Sequence, residues 1–496
     1  MFKNKIIRNI FSNYVGFGVS SVVTLVMVPF LVWKLGKSVY GAWILVNSLF
    51  AYCTLLELGI MPAIVRYVAQ AQAEGGAAAV EKTVGSAIRV LGRICLYSIP
   101  GLFIIICLAT WAFDLETVDR KTIIIATLLL ALTAPVDFFL RMFWAILEGH
   151  SRFDVLNVYH IVTTILAALG IVAGVYAGFG LFALVVVTMI EIVGGAIVMY
   201  FVVRQVCGIR ISPGLGDTET QKKVTGYSKY AFLIDLAVSI SHRIDTLVIG
   251  LFLPVKAIAF YDIGTRIAGF LERITDPLID TFFPLASQLD TAREPAAIQQ
   301  LLLTGTKVSI FIISPLMIML FAYGGDAISW WVGAEFVEQS LPVLLVFLGS
   351  TFFAVFDATS SRILLGTGKV KFDAIASLVT AGLNLTLSLI LVRHLGILGV
   401  ALGTLIPTTL CNLFVSVPYT CRVCGLPVHR LYLAVFGPLL AIGALSGGCM
   451  YVTNLFFDNR IVTLFIDGAF VASVGGAVLL HALRQARHIA DNLTEP

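Results

Sequence analysis

The sequence predicts an all-α polytopic membrane protein of about 14 transmembrane helices, with two six-helix lobes related by an internal repeat and two appended helices. Three observations lead to this prediction. Hydrophobic residues make up 59% of the 496 residues and charged residues only 12%, and the mean hydropathy is +0.97. Apolar runs of ~20 residues, the length that spans a bilayer, recur between short polar or Gly/Pro breaks. The third observation is the internal repeat itself.

Fourteen apolar segments follow one another along the chain. Their limits are residues 10–33, 41–68, 86–112, 122–147, 155–177, 180–203, 229–253, 257–285, 301–323, 341–365, 372–392, 397–420, 431–453 and 460–483. An even number places both termini on one side, and the loops and ends of that side carry seventeen Lys and Arg against seven on the other. By the positive-inside rule, both termini are expected in the cytoplasm.

The repeat relates the stretch that begins "LEGHSRFDVLNV" to the one that begins "LLGTGKVKFDAI". Phe153-Asp154 aligns with Phe372-Asp373 and Gly180 with Gly399, at an offset of 219 residues. Because that offset spans six segments, the two copies keep the same orientation and form parallel repeats. The predicted division is an N-terminal lobe at residues 1–215, a C-terminal lobe at 216–428, and appended helices with a cytoplasmic tail at 429–496.

Several classes of function are excluded by what the loops contain. No loop exceeds roughly 25 residues, too few for a separate catalytic domain, so the chain is not expected to be an enzyme. The basic residues form no stripe interleaved with aromatics, which argues against nucleic-acid binding. Cys421, Cys424 and His429 have metal-like spacing, but a structural zinc site needs four ligands and no second Cys pair lies nearby. Function is therefore expected between the helices, without a bound metal.

The eighth segment carries the clearest polar stripe. At 100° per residue, five ionisable residues fall within an arc of about 80°: Asp262, Arg266, Arg273, Asp276 and Asp280. A charge facing lipid at the bilayer centre costs on the order of 2.5–3.5 kcal/mol, so this face is expected to meet water or protein. Two interpretations stay open, a substrate cavity and a structural ladder of ion pairs such as Asp262 with Arg266.

Other segments repeat this pattern. Asp137, Arg141 and Trp144 share one face of segment four, and Asp357 and Arg362 are interpreted as their counterparts in segment ten. Snorkelling to the cytoplasmic interface explains Arg89. Arg93 lies one turn deeper in the membrane and is therefore the better functional candidate. The predicted substrate-cavity residues are Arg266, Arg273, Arg93, Arg141, Asp262, Asp137, Asp357, Arg362 and Trp144.

A second group of residues is typical of ion coupling. Glu191 lies near the middle of segment six with no basic partner in its own helix, so it either exchanges an ion or is a packed neutral carboxyl. In segment seven a His between two carboxylates is either a proton site or a satisfied packing contact. The ion-coupling candidates are Glu191, Asp235, His242, Asp245 and Glu57. Pro62 is predicted to kink the second segment and act as a hinge, since it frees the Leu58 carbonyl.

The motifs "LGKSVYGAW", "LLELGIMPAIVRYVAQ", "RIDTLVIGLFL" and "AIAFYDIGTRIA" resemble polysaccharide transporters of the multidrug/oligosaccharidyl-lipid/polysaccharide (MOP) superfamily, the Wzx-type flippases. The resemblance covers nearly the whole chain. It implies a MATE-like fold of two six-helix lobes that rock between inward-open and outward-open states. It carries the cationic cavity of the family onto Arg266 and Arg273.

The resemblance also implies a function. The expected substrate is an undecaprenyl-pyrophosphate-linked oligosaccharide, moved across the bacterial cytoplasmic (inner) membrane for surface polysaccharide such as lipopolysaccharide O-antigen. Coupling to Na⁺ or H⁺ by antiport is expected, with no cofactor, and a polysaccharide polymerase and other assembly proteins are expected partners. Arginine suits a bidentate grip on pyrophosphate, although the residues alone equally allow another anion.

Two competing functions stay open. A multidrug or small-solute exporter of the same superfamily predicts a smaller, mainly acidic cavity, against which the buried arginines argue. A membrane enzyme such as a polymerase, ligase or acyltransferase predicts a sizeable extramembrane loop or a convergent catalytic set, and neither is found in the sequence.

Overall fold

The computed structural model describes the backbone of residues 2–112, 119–291, 293–457 and 459–492. Side chains are described from residue 15 to residue 480, except at residues 54–55, 73–74, 98–118, 227, 229–231, 233–235, 237–243, 284, 288, 291–292, 370, 458 and 461.

Within this described part the chain is helical and contains no strand. The α-helices of the first half are α1 Phe2–Thr54, α2 Ile60–Ala112, α3 Arg120–Gly149, α4 Phe153–Tyr176, α5 Leu181–Cys207 and α6 Thr218–Phe252. Those of the second half are α7 Lys256–Ile279, α8 Phe282–Thr291, α9 Pro295–Trp331, α10 Val337–Gly366, α11 Val370–Cys411, α12 Val417–Cys424, α13 Val428–Phe456 and α14 Arg460–Asn492. Helices dominate because a backbone in lipid must satisfy its own hydrogen bonds.

Three of these helices contain a glycine with non-helical dihedrals, and each divides into two passes there: Gly36 in α1, Gly76 in α2 and Gly396 in α11. Elsewhere two helices that are separated only by a short break belong to the same pass, as α7 and α8 do. Grouped in this way, the described residues form fourteen helical passes. The predicted fold class is confirmed.

Nine helices among the described residues are long and apolar enough to cross a bilayer. Two of them, Val15–Cys53 and Lys371–Cys424, contain a kinking glycine and therefore hold two passes. The passes at residues 218–252 and 256–291 carry many ionisable residues in the sequence.

The ends of α3 and α10 show the repeat in backbone geometry. Both helices contain 30 residues and end 217 residues apart, at Gly149 and Gly366. After α3, the amides of residues 150, 151 and 152 donate to the carbonyls of residues 146, 148 and 147; after α10, those of 367, 368 and 369 donate to 363, 365 and 364. Ser151 and Gly368 both have positive φ, at 55° and 76°. At this turn the structural offset between the repeats is therefore 217 residues instead of the predicted 219.

A second pair of glycines corrects the alignment of the repeat. Gly180 has φ 53° and ψ −127°, and the residue with the matching conformation is Gly396, at φ 58° and ψ −137°, instead of Gly399. Gly399 has a different role, since a Cβ there would lie 2.3 Å from the Leu391 carbonyl oxygen. It allows the two halves of α11 to approach closely.

The second segment is broken, and the break precedes Pro62. α1 ends at Thr54, a 3₁₀ turn covers Leu55–Glu57, and Leu58 and Gly59 have φ values of 54° and 68° before α2 begins. Pro62 lies in the first turn of α2, where a missing N–H is tolerated. The prediction that Pro62 kinks a continuous helix is therefore wrong in position, because Leu58 and Gly59 make the interruption. The eighth segment is also interrupted, at Asp280 and Thr281 between α7 and α8.

The chain divides into two compact units, residues up to Ala259 and residues from Phe260 onward. In the first unit the core lies among α2, α3, α5 and α6, around residues such as Ile64, Leu91, Met142 and Val224. The packing places α6 with the first unit because α6 lies against α2 and α1. The predicted lobe boundary after residue 215 rests on the repeat instead of packing, and stays a prediction.

In the second unit the appended helices are tied to α9. The fully buried carboxylate of Asp467 on α14 accepts hydrogen bonds from the Tyr323 hydroxyl and, at 2.8 Å, from the Thr453 hydroxyl. Nearer the start of α14, Arg460 pairs with Asp326 at 2.5 Å. The predicted repeat leaves these helices outside both lobes, and Asp467 is a buried polar contact of α14 with α9 and α13.

Candidate functional site

The polar stripe of α7 contains two arginines in different settings. Arg266 donates from Nε to the carboxylate of Asp262, one turn earlier. Arg273 is exposed, and among the described residues it makes no hydrogen bond or ion pair. The i,i+4 ion pair expected of a structural ladder is therefore present at Arg266. Arg273 keeps its donors available for an anion.

The C-terminal end of the α7 stripe is hydrogen-bonded to α10. Arg362 donates to Oδ1 of Asp280 from Nε at 3.1 Å and from Nη2 at 2.8 Å. Glu272, on the same helix as Arg273, accepts from the Thr351 hydroxyl of α10 at 3.0 Å. Arg362, predicted to line the cavity, holds the break between α7 and α8 against α10.

Asp357 has a partner different from the one its sequence position suggests. The Ser416 hydroxyl donates to Oδ1 of Asp357 at 2.7 Å, and Asn412 donates to the Phe353 carbonyl at 3.1 Å. Both donors belong to a single π-helical turn, Asn412–Ser416, and such turns are frequent at functional sites. The predicted equivalence of Asp357 with Asp137 does not extend to their contacts.

In the first unit a cluster of polar side chains lies among α3, α4 and α5. Its members are Asp137, Arg141, Trp144, Tyr159 and Glu191, hereafter the α3–α5 cluster. Arg141 donates from Nε to Asp137 at 2.8 Å, and Asp137 is buried. Arg141 is also under the electrostatic influence of Glu57, which is buried in the 3₁₀ turn after α1. The structure thus brings together three predicted cavity residues, Asp137, Arg141 and Trp144, and two coupling candidates, Glu191 and Glu57.

Glu191 has neighbours on other helices that its own helix could not indicate. It interacts electrostatically with Asp137 and with the Tyr159 hydroxyl of α4. Within the described residues, Tyr159 Oη and Trp144 Nε1 are buried and have no hydrogen-bond partner. The cluster therefore combines two carboxylates, one guanidinium and two available donors. The sequence did not predict a role for Tyr159, because the pattern of α4 is that of a helix surrounded by lipid.

Three predicted residues lie on α6. Asp245 is buried there. Asp235 and His242 fall outside the residues whose side chains are described, so their proposed role in coupling stays a prediction.

Arg93 faces α6 instead of a carboxylate. It donates from Nη2 to the side-chain oxygen of Gln221, in the first turns of α6. Close by, Arg89 donates to the Pro213 carbonyl at 2.7 Å and to the Gly214 carbonyl at 3.3 Å. Arg89 thus fastens the linker between α5 and α6, a contact that snorkelling did not anticipate.

Asp217 is the central residue of this linker attachment. Its amide donates to the Ser86 hydroxyl at 3.0 Å, and the same hydroxyl donates back to its carbonyl at 3.2 Å. Lys82 pairs with its carboxylate at 2.5 Å, and the Thr220 amide donates to it at 2.8 Å as an N-cap. The hydrogen bond from Lys82, followed by that from Thr220, lowers the pKa of Asp217 to about 2. Asp217 therefore stays ionised at neutral pH.

Comparison with known proteins assigns the family. Residues 94–341, half of the chain, match the family model described as "Polysaccharide biosynthesis protein". The chain belongs to this polysaccharide biosynthesis family. The resemblance inferred from the motifs is confirmed.

Two curated relatives share this family character. A "Putative O-antigen transporter" of Shigella flexneri is 22% identical over 433 residues, covering 85% of this chain and 99% of the relative. A "Probable low-salt glycan biosynthesis flippase" of Haloferax volcanii is 23% identical over 183 residues. That second match covers 37% of this chain and only 39% of the relative's length.

Solved structures share the fold at low identity. One, titled "Lipid II flippase MurJ, inward closed conformation", has a TM-score of 0.72 at 16% identity and covers 95% of this chain and 99% of its own. Another, an inward-facing multidrug resistance MATE family transporter of the MOP superfamily, has a TM-score of 0.69 at 13% identity and covers 82% and 94%. At these identities the likeness concerns the fold alone, which is the MATE-like fold predicted. The family member described here is a multi-pass membrane protein.

Proposed function

We propose that this protein is a flippase that moves an undecaprenyl-pyrophosphate-linked oligosaccharide from the cytoplasmic to the periplasmic leaflet of the inner membrane. It would do so by alternating access, and its product would serve surface polysaccharide such as O-antigen. Membership of the polysaccharide biosynthesis family is the observation that carries the proposal. The names of both relatives, an O-antigen transporter and a glycan flippase, agree with it.

The α7 stripe supports a pyrophosphate-bearing substrate. Arg273 has donors that no described residue uses, and a guanidinium binds phosphate oxygens in a bidentate manner. Arg266 would contribute positive charge, moderated by Asp262. In this proposal Arg273 binds the pyrophosphate headgroup, and Arg266 contributes to the positive electrostatic potential around it.

The α3–α5 cluster supports coupling to Na⁺ or H⁺. Asp137 and Glu191 place two carboxylates near one guanidinium, so the cluster carries surplus negative charge when both are ionised. Burial makes such a surplus costly and favours uptake of a cation or proton. Glu57 adds a third acidic group beside Arg141. Transport would then depend on a cation gradient, without chemical change to the substrate.

The decisive experiment identifies the molecule that accumulates when the gene is deleted. Lipids are extracted from the deletion strain and a complemented strain, and undecaprenyl-linked saccharides are analysed by mass spectrometry. A lipid-linked repeat unit should accumulate in the deletion strain on the cytoplasmic side and disappear on complementation. Absence of any such lipid would contradict the proposal and favour a small-solute exporter or another class of membrane protein.

A further inference from the structure

The first unit contains a cavity with two unlike walls. It lies between α2 and α6, beside the 3₁₀ turn that follows α1, and has a volume of 540 Å³. One wall is apolar and includes Leu58, Val90 and Ile94. The other consists of polar residues from α2 and from the first two turns of α6. A space of this size accommodates a headgroup together with the start of an apolar chain.

The polar wall is positively charged and holds no carboxylate among its lining residues. Arg93 and Lys222 both line the cavity. The hydrogen bond that Arg93 makes goes to the neutral amide of Gln221, and Lys222 has no ion pair among the described residues. Its neighbour Lys223, by contrast, pairs with Glu219 at 2.9 Å and lies outside the cavity. Two cations against an apolar wall favour a bound anion.

The linker attachment fixes the position of the polar wall. Because Ser86, Lys82 and Arg89 of α2 hold residues 213–217, the first turn of α6 begins at a set place on α2. Gly85 and Gly216 allow this approach, since a Cβ on Gly85 would lie 2.6 Å from the amide nitrogen of Gly216. The groups that would meet an anion are therefore held in place before it binds, which lowers the entropic cost of binding.

The surface beside the cavity suits an apolar chain. Leu96 and Tyr97, on the same stretch of α2, have 69% and 79% of their surface exposed, and Tyr97 lines the cavity. In a membrane protein, exposed apolar residues of this kind suit contact with an acyl chain. A free anion would use only the charged wall, whereas a lipid would use both walls.

We propose that this cavity binds the phosphate-bearing headgroup of a lipid, with Arg93 and Lys222 on the phosphate and the chain along α2 beside Tyr97. With a polyprenyl pyrophosphate the site would form part of the proposed function, and with an anionic phospholipid it would be separate from that function. It also gives Arg93 a role within the first unit, separate from the arginines of α7. Two lipids share the required chemistry, an anionic phospholipid and a polyprenyl pyrophosphate.

The test measures binding to the purified full chain in neutral detergent, by native mass spectrometry or calorimetry. The probes are dioctanoyl phosphatidylglycerol, farnesyl pyrophosphate and inorganic pyrophosphate. Lys222→Gln and Arg93→Gln should each weaken binding of the favoured lipid about tenfold, the loss of one charge-assisted hydrogen bond. Arg93→Lys should retain part of the affinity. Lys223→Gln is the matched control, and less than a twofold change is expected.

Several results would overturn the proposal. Equal losses in Lys222→Gln and Lys223→Gln would indicate unspecific surface charge, and unchanged binding in Lys222→Gln would remove the site even if Arg93→Gln proved unstable. Inorganic pyrophosphate binding as tightly as the lipid probes would contradict a lipid site. Tighter binding of farnesyl pyrophosphate than of phosphatidylglycerol would identify the carrier lipid, and similar binding would identify bulk phospholipid. This binding is measured without transport, so failure of the flippase proposal would leave it intact.

Discussion

Arg266 and Arg273 lie two turns apart on α7, but among the described residues only Arg266 pairs with a carboxylate. Removal of Arg266 leaves Asp262 as a partly buried charge without its principal partner. Removal of Arg273 leaves no such residue behind among the described contacts. Loss of an anion ligand and loss of stability should therefore be separable at these two positions.

We expect Arg273→Ala to abolish translocation while the protein accumulates to its normal level. Arg266→Ala should reduce both the rate of translocation and the amount of protein. The reason is the cost of an uncompensated charge in a partly buried site. The midpoint temperature of thermal unfolding should fall by a few degrees in Arg266→Ala and recover in the double variant Asp262→Asn/Arg266→Gln. Transport is measured as surface polysaccharide. Normal polysaccharide in Arg273→Ala would exclude its role in substrate binding.

The carboxylate of Glu191 is the second residue with a specific expectation. Glu191→Gln keeps the size of the side chain and removes an ionisable carboxyl group beside Asp137, so transport should lose much of its dependence on the proton or sodium gradient. Gradient-dependent uptake into inverted vesicles measures this. Glu338→Gln, in the exposed first turn of α10, is the control. The same gradient dependence in both variants would remove Glu191 from coupling.

Periodicity along one helix predicted which of these residues face away from lipid, but not which helix each one meets. The Asp262–Arg266 pair was accessible from sequence because both partners lie on α7. The approach of Glu191 to Asp137, and of Arg93 to Gln221, depends on packing between helices far apart in sequence. Helix periodicity contains no information on such contacts.

At the level of elements, two glycines set how closely α3 and α10 approach their neighbours. A Cβ on Gly149 would lie 2.8 Å from a methyl of Val68 on α2 and 3.0 Å from the Val65 carbonyl. A Cβ on Gly366 would lie 2.8 Å from the Phe283 carbonyl on α8. In each repeat, therefore, the C-terminal end of the fourth pass packs closely against the second pass, on the helix that follows the interruption of that pass.

We expect Gly149→Ala and Gly366→Ala each to destabilise the protein by about 1–3 kcal/mol, because backbone atoms cannot yield to the added methyl group. Gly92→Ala is the matched control, since a Cβ there meets nothing within 4 Å. Higher helix propensity should make that variant neutral or up to about 1 kcal/mol more stable. Thermal unfolding in detergent measures all three, and equal effects at Gly92 and Gly149 would refute the packing argument.

Helix α14 offers a similar test through Asp467. Asp467→Ala should cost about 2–4 kcal/mol, because the hydroxyls of Tyr323 and Thr453 lose a buried acceptor. Asp467→Asn retains an acceptor oxygen and should cost less. Asp326→Ala, which removes the partner of the exposed Arg460, should have little effect. Stability of Asp467→Ala equal to that of the parent chain would mean that α14 is held by apolar packing alone.

The sequence predicted the succession of helices well, because long apolar runs and short breaks are strong signals. It placed the interruption of the second segment at Pro62, where proline chemistry points, whereas the chain breaks at Leu58 and Gly59. Positive φ at Leu58 is set by its surroundings instead of by its residue type. Such breaks are invisible to a pattern based on hydropathy.

At the level of the whole molecule, the distribution of basic residues predicts both ends of the chain in the cytoplasm. A C-terminal fusion to green fluorescent protein should fluoresce, and a C-terminal fusion to alkaline phosphatase should be inactive. A fusion inserted between Arg120 and the preceding pass should behave in the opposite way. Active phosphatase at the C-terminus would contradict either the even number of passes or the proposed orientation.

The attachment of the linker to α2 also determines where the chain tolerates being divided. A gene cut within residues 208–217, where the repeat suggests a boundary, would separate α6 from Ser86 and Lys82. A cut between Leu253 and Pro254 leaves α6 seated on α2, and the flanking backbone hydrogen bonds, Leu253 to Ile249 and Ala257 to Pro254, each stay within one fragment. Two co-expressed polypeptides split at that bond are therefore the better starting point for reassembly of an active transporter.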